Sequence, residues 1–340
     1  MTVGWRRAAR SPAVVSLAGI HMLVLLAGFF SPYDPTEQNR ALPLVPPTRV
    51  HFLDAQGGFR RPFIYGLRLE RDGYRESLEQ RYPVQFLVSG SRYRILGLIS
   101  CRIHLFGVAD PGRVFLLGSD AFGRDQLSRI LYGGQVSLMA GLLAATVTLT
   151  LGLTAGSIAG FCAGWRDAVV MRLAEVFLAL PWLYLLLGVR AFLPLSLDPV
   201  QTFLLMIGVI GVVGWARPAR LIRGMVLSAR EREYVGAARS FGASGIHLLL
   251  WHIWPEVRSA LMVQASVLIP QYILAEVTLS FLGLGVGEPA SSWGAMLAVL
   301  RDPGMMMGCW WLAAPAFVLL PVFLCYYRIA GSLGEPADPK

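Results

Sequence analysis

The chain contains almost no lysine: Lys340 is the only one among its 340 residues. The nucleotide-binding loop G-x-x-x-x-G-K-[ST] needs a lysine to reach the phosphates of ATP. The sequence therefore excludes that loop. Any work that this chain does at the expense of ATP has to be driven by another polypeptide.

Charged residues are also scarce, at 15% of the chain against roughly 25% in soluble domains. A transmembrane helix needs about 20 predominantly apolar residues. Five runs lack Asp, Glu, Lys and Arg for about that length: 11–33, 135–165, 199–216, 259–275 and 303–327. A sixth run, 171–195, is apolar apart from Arg172, Glu175 and Arg190. These runs predict an all-α integral membrane protein with six transmembrane helices.

The four cysteines form no C-x-x-C pair and no Cys/His cluster with the spacing of a metal site. We expect them to be small packing residues, and we expect no metal site.

The arginines predict the orientation of the chain in the membrane. Three precede the first apolar run, and seven lie in the segment 217–258. Since short cytoplasmic loops carry the excess of Arg, both termini and this segment are expected in the cytoplasm. The net charge of +9 then reflects orientation and a basic outer segment, not nucleic-acid binding. Residues 1–33 are expected to be a cytoplasmic N-terminus and a retained first helix, not a cleaved signal peptide.

Residues 34–115 differ from the rest of the chain. Proline-rich turns are followed by β-rich runs at 49–54, 61–70 and 82–90, which predict strands. The run 95–108 is either a strand or an interfacial segment. We predict a small α+β or mostly β extracytoplasmic domain, inserted between the first and second transmembrane helices.

An amphipathic helix is predicted over 116–133, at the outer membrane surface. Asp125 and Arg129 are four residues apart, a spacing that supports an ion pair on a helix. Asp120, Arg124 and Asp125 are interpreted as structural residues that cap and brace this helix.

The predicted membrane core covers 134–331, with five transmembrane helices and a cytoplasmic loop at 217–258, and 332–340 form a cytoplasmic tail. The second span is rich in Gly and Ala, which allow membrane helices to pack closely. Pro181 and Pro270 interrupt two spans and suit either a transport pathway or a plain bundle.

Polar residues inside spans are the next candidates for function. Glu175 lies three residues after Arg172, so the two are expected to pair. Gln271 and Glu276 are candidates for a polar pathway or an inter-subunit contact, and a hydrogen bond to a neighbouring helix is the alternative.

The charged segment 230–255 lies between long apolar runs and contains the sequence EYVGAARSFGASGIHLLLWHIWP. It resembles the coupling loop of permeases from binding-protein-dependent ABC importers, whose motif is Glu-Ala-Ala, three residues, Gly, nine residues, then Ile-x-Leu-Pro. Ala237, Ala238, Gly242 and Pro255 match this motif. Gly236, His252 and Trp254 stand where it has Glu, Ile and Leu, and Glu233 replaces the missing carboxylate only in part.

Three further stretches resemble the dipeptide, oligopeptide and nickel branch of the same family: 117–138, the D-x-x-x-M-R of 167–172, and 276–297. The resemblance covers roughly 116–300 and indicates the second of the two pore subunits. It implies the type I ABC importer permease fold, with a homologous second permease, two ATP-binding subunits that use ATP and Mg, and an extracytoplasmic substrate-binding protein. This chain is then expected to bind no cofactor and to have no catalytic site of its own.

The same resemblance implies roles for the residues of the coupling segment. Tyr234, Ala237, Ala238 and Phe241 would enter a groove on an ATPase subunit, and Gly242 would end the short helix in a left-handed conformation. Arg230, Arg232 and Arg239 would pair with acidic groups at the rim of that groove.

Two other classes of protein remain open from the sequence: a secondary transporter that works alone, and a membrane scaffold with an outer sensor domain. Peptide is the expected cargo, and nickel or another small solute is the alternative.

Overall fold

The computed structural model describes residues 11–334, apart from 55, 71–72, 96 and 193–197. The predicted N-terminal residues 1–10 and most of the predicted tail, 335–340, lie outside the described residues. The chain divides into two compact units. The helical unit contains Met1–Leu17, Met139–Glu276 and Pro321–Lys340, and the mixed unit contains Ala18–Leu138 and Val277–Leu320.

The described helices cover Pro12–Leu25, Ala27–Phe30, Gln126–Cys162, Gly164–Ala179, Trp182–Phe192, Pro199–Gly214, Ala216–Arg230, Glu233–Ser240, Gly245–His247, Trp254–Phe281, Trp293–Leu297, Pro303–Gly308 and Ala314–Gly334. A π-helical segment covers Leu248–Ile253, and 3₁₀ turns cover Ala298–Arg301 and Trp310–Ala313. The strands are β1 (His51–Leu53), β2 (Phe59–Glu70), β3 (Gly73–Ile95) and β4 (Ile99–Val108).

Four helical stretches of the described chain are long and apolar enough to cross a membrane: Gln126–Cys162, Val200–Arg230, Leu248–Phe281 and Trp310–Gly334. The helices on either side of Pro181 are bent by more than 40° and count as a fifth span if they are taken together. The first apolar run forms the 14-residue helix Pro12–Leu25, which is shorter than a span, and a turn at Leu26 separates it from Ala27–Phe30. The predicted count of six spans is therefore not confirmed.

Two predicted boundaries are wrong. The segment 217–258 is not one loop, because Ala216–Arg230 is helical and buries a face formed by residues such as Ala219, Ile222 and Val226. The helix predicted over 116–133 starts only at Gln126 and runs on without a break to Cys162. Gly118 and Gly123 have positive φ angles, which turn the preceding residues out of helical geometry.

In the helical unit, three glycines bring two helices into close contact. Gly152, Gly156 and Gly160 repeat at four-residue spacing, which places them on one side of the helix Gln126–Cys162. A Cβ atom on Gly156 would lie 2.5 Å from the Ala219 carbonyl oxygen, and one on Gly160 would lie 2.8 Å from Val226 Cβ. The predicted close packing through small residues is thus confirmed for this helix pair.

An ion pair also links helices of the helical unit. Both nitrogens Nε and Nη2 of Arg223 donate to the carboxylate of Asp167, each over 2.5 Å. This bidentate geometry fixes Gly164–Ala179 against Ala216–Arg230, because the planar guanidinium and carboxylate groups must face each other. Arg172 and Glu175 pair at 3.0 Å, as predicted, on an exposed surface.

The mixed unit contains an antiparallel sheet in the order β1-β2-β3-β4. The predicted strand segments at 61–70 and 82–90 fall within β2 and β3, and the run 95–108 is largely strand β4. The loops on either side of the sheet meet each other, since Thr48 N–H donates to the Phe115 carbonyl over 2.8 Å and Val45 N–H donates to Ser119 Oγ over 2.8 Å. The chain therefore enters and leaves the sheet at adjacent points.

The glycine contact predicts opposite effects for the same substitution at two sites. Gly156→Ala places a methyl group against the backbone of Ala219 and is expected to destabilise the protein by about 1–3 kcal/mol. Gly224→Ala is the matched control, since nothing lies within 4 Å of its new Cβ. It is expected to be neutral or to stabilise by up to about 1 kcal/mol, because alanine favours helix. Thermal unfolding in detergent measures both, and an equal effect at the two sites would contradict the packing described.

Candidate functional site

The short helix Glu233–Ser240 lies between two of the membrane-length helices and buries one side chain fully in its unit. Val235 is fully buried, while Tyr234, Gly236 and Ala237 on the same helix are exposed and Ala238 is half-buried. Burial of a valine side chain stabilises by about 1.5–3 kcal/mol. Val235 thus holds the helix on its buried side, while most of its other residues are exposed.

The helix ends in a Schellman motif. Gly242 has a φ angle of +87°, its N–H donates to the Arg239 carbonyl over 3.0 Å, and the Ala243 N–H donates to the Ala238 carbonyl over 3.1 Å. Glycine adopts this left-handed conformation without the strain that a Cβ would cause. The prediction that Gly242 ends the helix is confirmed. Phe241, just before it, is 92% exposed.

One carboxylate fastens the exposed side of the short helix to the helix Trp254–Phe281. Glu256 Oε1 accepts a hydrogen bond of 2.7 Å from the Tyr234 hydroxyl and lies 3.1 Å from Arg232 Nη1. The hydrogen bond to Glu256 raises the pKa of Tyr234. The Tyr234 ring also stacks on His252, with the ring centroids 6.2 Å apart. Three contacts, made by Tyr234 and Arg232 with Glu256 and His252, therefore link the short helix to the first part of the stretch Leu248–Phe281.

The three arginines of the segment differ in their surroundings. Arg232 is engaged by Glu256, and Arg230 donates to the Phe161 carbonyl over 3.2 Å and approaches Glu231. Arg239 is exposed on the last turn of the short helix. The expectation that all three wait for acidic groups on a partner is therefore too simple, because two of them already have partners within the chain.

The position of the missing motif carboxylate is open space. No atom lies within 4 Å of where a Cβ on Gly236 would stand. Glu233 lies in the exposed first turn of the helix, and the described contact to the following helix is made by Glu256 instead. Glu256 was not a candidate from the sequence, although its position directly after the motif proline was a usable signal.

Gln271 and Glu276 do not form a common polar surface. They lie on the same helix, but Gln271 is exposed and Glu276 is 5% exposed. Five residues along an α-helix turn a side chain through about 140°, which separates their faces. Tyr272, which the sequence did not single out, lies 2.9 Å from Thr148 Oγ1 and joins two spans of the helical unit.

A second polar cluster lies in the mixed unit and joins Asp120, Arg124, Arg129 and Glu288. Asp120 Oδ2 accepts from Arg124 Nε over 2.7 Å and from Arg129 Nη1 over 2.5 Å. Glu288 accepts from Arg124 Nη1 over 2.5 Å and lies 3.3 Å from Arg129 Nη2. Burial alone would raise the pKa of Glu288, but the Arg124 hydrogen bonds and the Arg129 charge hold it below its ordinary value.

This cluster corrects one predicted ion pair. Arg129 pairs with Asp120 and Glu288, not with Asp125. Asp125 caps the helix that starts at Gln126, because its Oδ2 accepts from both the N–H and the hydroxyl of Ser128. Asp120, Arg124 and Asp125 all serve as structural residues, as the sequence predicted. Glu288 completes the cluster from 159 residues or more along the chain, so no local pattern indicated it.

Comparison with known proteins identifies the class. Residues 152–334 match the family of binding-protein-dependent transport system inner membrane components. The chain belongs to this family, and it is a multi-pass membrane permease, a transport component rather than an ATPase. The family predicted from the coupling segment is confirmed.

Individual relatives cover most of the chain. The oligopeptide transport system permease protein OppC of Escherichia coli K12 is 42% identical over 66% of this chain and 72% of that protein. The dipeptide transport system permease protein DppC of Bacillus subtilis is 34% identical over 68% of this chain and 70% of that protein. A solved chain of the MetNI methionine ABC transporter, in an inward-facing conformation, aligns with 61% of this chain and 96% of that one at 16% identity and a TM-score of 0.43.

The capping carboxylate predicts an unusual pH dependence of stability. Burial raises the pKa of Asp125 to about 6, and its Oδ1 is buried with no hydrogen-bond partner among the described residues. The folded state therefore binds this proton more tightly than the unfolded chain, whose Asp pKa is about 3.9. The contribution of Asp125 to stability rises as pH falls from about 7 to about 4.

Asp125→Asn is expected to remove this rise while leaving a side-chain oxygen to cap Ser128. The measurement is the difference in melting temperature between wild type and variant across that pH range. The largely exposed Asp110 provides the control substitution Asp110→Asn, for which we expect no such trend. A pH-independent difference for Asp125→Asn would contradict a raised pKa at this residue.

Proposed function

We propose that this chain is a pore-forming permease subunit of an ATP-driven peptide importer, moved by partner ATPases through the helix Glu233–Ser240. The observation that carries the proposal is the construction of that helix. It is fixed to its own unit by Val235 and Glu256 and presents Phe241, 92% exposed, beyond its last turn. A rigidly attached helix with an exposed aromatic end suits a groove on a separate protein.

The proposed direction of coupling follows from the attachment. A partner that grips Tyr234, Ala237, Ala238 and Phe241 displaces the short helix, and the Glu256 contacts pass that displacement to the base of Trp254–Phe281. The left-handed end at Gly242 holds Phe241 in a fixed direction. Arg239 is the arginine of the segment that is left to meet an acidic rim, with Arg230 and Arg232 steadying the helix from within.

The cargo is proposed from the relatives. OppC and DppC are named for oligopeptide and dipeptide transport, and the probable D,D-dipeptide transport system permease DdpC of Escherichia coli is 35% identical over 68% of this chain. Peptide is therefore favoured over nickel or another small solute. These relatives also favour an importer subunit over a stand-alone transporter or scaffold.

The proposed assembly contains a homologous second permease, two ATP-binding subunits that use ATP and Mg, and an extracytoplasmic binding protein. Within this chain we propose six crossings. The helices from Pro12 to Phe30 make the first, because 19 residues at 1.5 Å each approach the thickness of the hydrocarbon core, about 30 Å. The bent pair around Pro181 makes the third. Both termini and the short helix then lie in the cytoplasm, and residues 34–115 form an outer domain.

Phe241→Ala is expected to uncouple ATP hydrolysis from uptake, because it removes the most exposed contact of the proposed docking helix. Losing roughly 1.4 kcal/mol at the interface would weaken the docking about tenfold, so in the reconstituted importer peptide uptake per ATP hydrolysed should fall. Membrane insertion should be unchanged. Phe317→Ala is the control, since Phe317 is also exposed but lies on the helix Ala314–Gly334. Equal uptake by Phe241→Ala and wild type would contradict the proposed docking.

The outer domain is proposed to contact the binding protein or to cover the pore entrance. Because Thr48 and Phe115 are hydrogen-bonded neighbours, residues 50–112 can be replaced by a short Gly-Ser linker without separating these ends. The shortened chain should still insert and co-purify with the ATPase subunits, which is the control for folding. Stimulation of ATPase activity by the binding protein should be lost, and full stimulation would refute the proposed role.

A further inference from the structure

The tip of the β3–β4 hairpin exposes apolar side chains that its own sheet does not cover. Leu98 is 84% exposed, Ile99 is 61% exposed and Ile103, on β4, is 54% exposed. Three arginines, Arg92, Arg94 and Arg102, are exposed beside them. A protruding apolar tip next to a group of like charges needs an environment that accepts both.

The hairpin is fastened to the helix Ala27–Phe30, which belongs to the first crossing proposed above, and the inference rests on that crossing. The Nδ1 atom of His104 lies 2.6 Å from the carbonyl oxygen of Ser31, just past the end of Ala27–Phe30. Closer to the tip, the ring of Tyr93 packs directly on Gly28, where any side chain would collide with it. Tyr93 and Cys101 are register partners at this level.

These two contacts give the direction in which the tip points. From His104 to Cys101 the hairpin advances three residues toward its tip, and its contact on the helix moves from Ser31 back to Gly28. The hairpin thus runs down the helix toward the apolar residues Leu25 and Met22, which are themselves exposed. The three residues from Ser31 to Gly28 rise about 1.5 Å each along the helix, so three residues of the strand beside them descend about 4.5 Å. At the same slope, the five strand residues from His104 to Ile99 place Ile99 about 7 Å below Ser31.

That depth corresponds to the outermost part of the acyl chains. The helices from Pro12 to Phe30, proposed above as the first crossing, approach the thickness of the hydrocarbon core, which places Ser31 near the boundary between lipid headgroups and acyl chains. Interfacial segments bury apolar residues about 5–10 Å into this boundary. A depth of about 7 Å below Ser31 therefore suits Leu98 and Ile99.

The charge of the tip fits the same environment. Several arginines elsewhere in the sheet have acidic partners, such as Arg60 with Asp54, Arg68 with Glu79 and Arg75 with Glu70. At the tip, Arg92, Arg94 and Arg102 have no ion pair among the described residues. Long basic side chains beside an apolar insertion place their charges at the level of lipid phosphates.

We propose that the β3–β4 hairpin is a membrane anchor, with Leu98 and Ile99 inserted at the headgroup boundary and Arg92, Arg94 and Arg102 bound to lipid phosphates. The occupant of this surface is the bilayer in which the first helix is embedded. The anchor holds the sheet at a fixed height beside that helix. It requires only the bilayer and this chain, and no other subunit.

The test uses the full chain in nanodiscs of phosphatidylethanolamine and phosphatidylglycerol. An environment-sensitive fluorescent amino acid is incorporated at position 98, and in a second variant at position 59. Phe59 is the matched control because it is 82% exposed at the start of β2. Nitroxide-labelled lipids should quench the probe at 98 and shift its emission to shorter wavelengths in the bilayer, with neither effect at 59.

Charge-reversal variants test the contribution of the arginines separately from that of the apolar residues at the tip. Arg94→Glu combined with Arg102→Glu should reduce lipid quenching at 98, while Arg68→Glu should leave it unchanged. An unquenched, water-exposed probe at 98 would overturn the proposal. A probe that is shielded from aqueous quenchers but not reached by lipid nitroxides would mean that protein covers the tip, and equal quenching at 59 would mean indiscriminate adsorption. Either result also overturns it.

Discussion

The proposed mechanical role of the short helix depends on one carboxylate. Glu256 is the shared acceptor for Tyr234 and Arg232, and it stands at the start of a helix that continues to Phe281. Without this acceptor the helix would remain attached chiefly through Val235, around which it could rotate. Two attachments on different sides remove that freedom. A push on the exposed face is then passed on as displacement instead of being lost in reorientation.

Close backbone contact between helices of the helical unit also restricts movement. Where glycines oppose Ala219, Ile222 and Val226, the two helices meet without long side chains between them, so neither can shift far without a collision. The Asp167–Arg223 pair adds a directional constraint beside that contact. The helices that flank the short helix on its N-terminal side therefore behave as one body.

The sequence predicted features that neighbouring residues determine, and it missed contacts between residues that are far apart along the chain. The apolar runs, the family motif, the left-handed Gly242 and the bracing roles of Asp120 and Arg124 were all readable from neighbouring residues. Glu288 was not, because its partners Arg124 and Arg129 lie at least 159 residues away. Glu256 lies beside the motif proline, but no local pattern indicated that its partner would be Tyr234, 22 residues earlier. The helix predicted over 116–133 was wrong because periodicity alone does not reveal the glycine turns before Gln126. The span count was not confirmed because apolar length does not reveal the break at Leu26, and because the interruption predicted at Pro181 divides another stretch into two bent helices.

The π-helical segment Leu248–Ile253 has a consequence for every residue that follows it. A π-type turn holds one more residue than an α-type turn, so each such insertion rotates later side chains by about 100° relative to an uninterrupted α-helical wheel. A wheel drawn from Gly245 through Phe281 would therefore assign Gln271 and Tyr272 to the wrong azimuth. The angular positions of side chains on this helix must be counted from Trp254. A map of the translocation path that starts the count earlier would be rotated by the same angle.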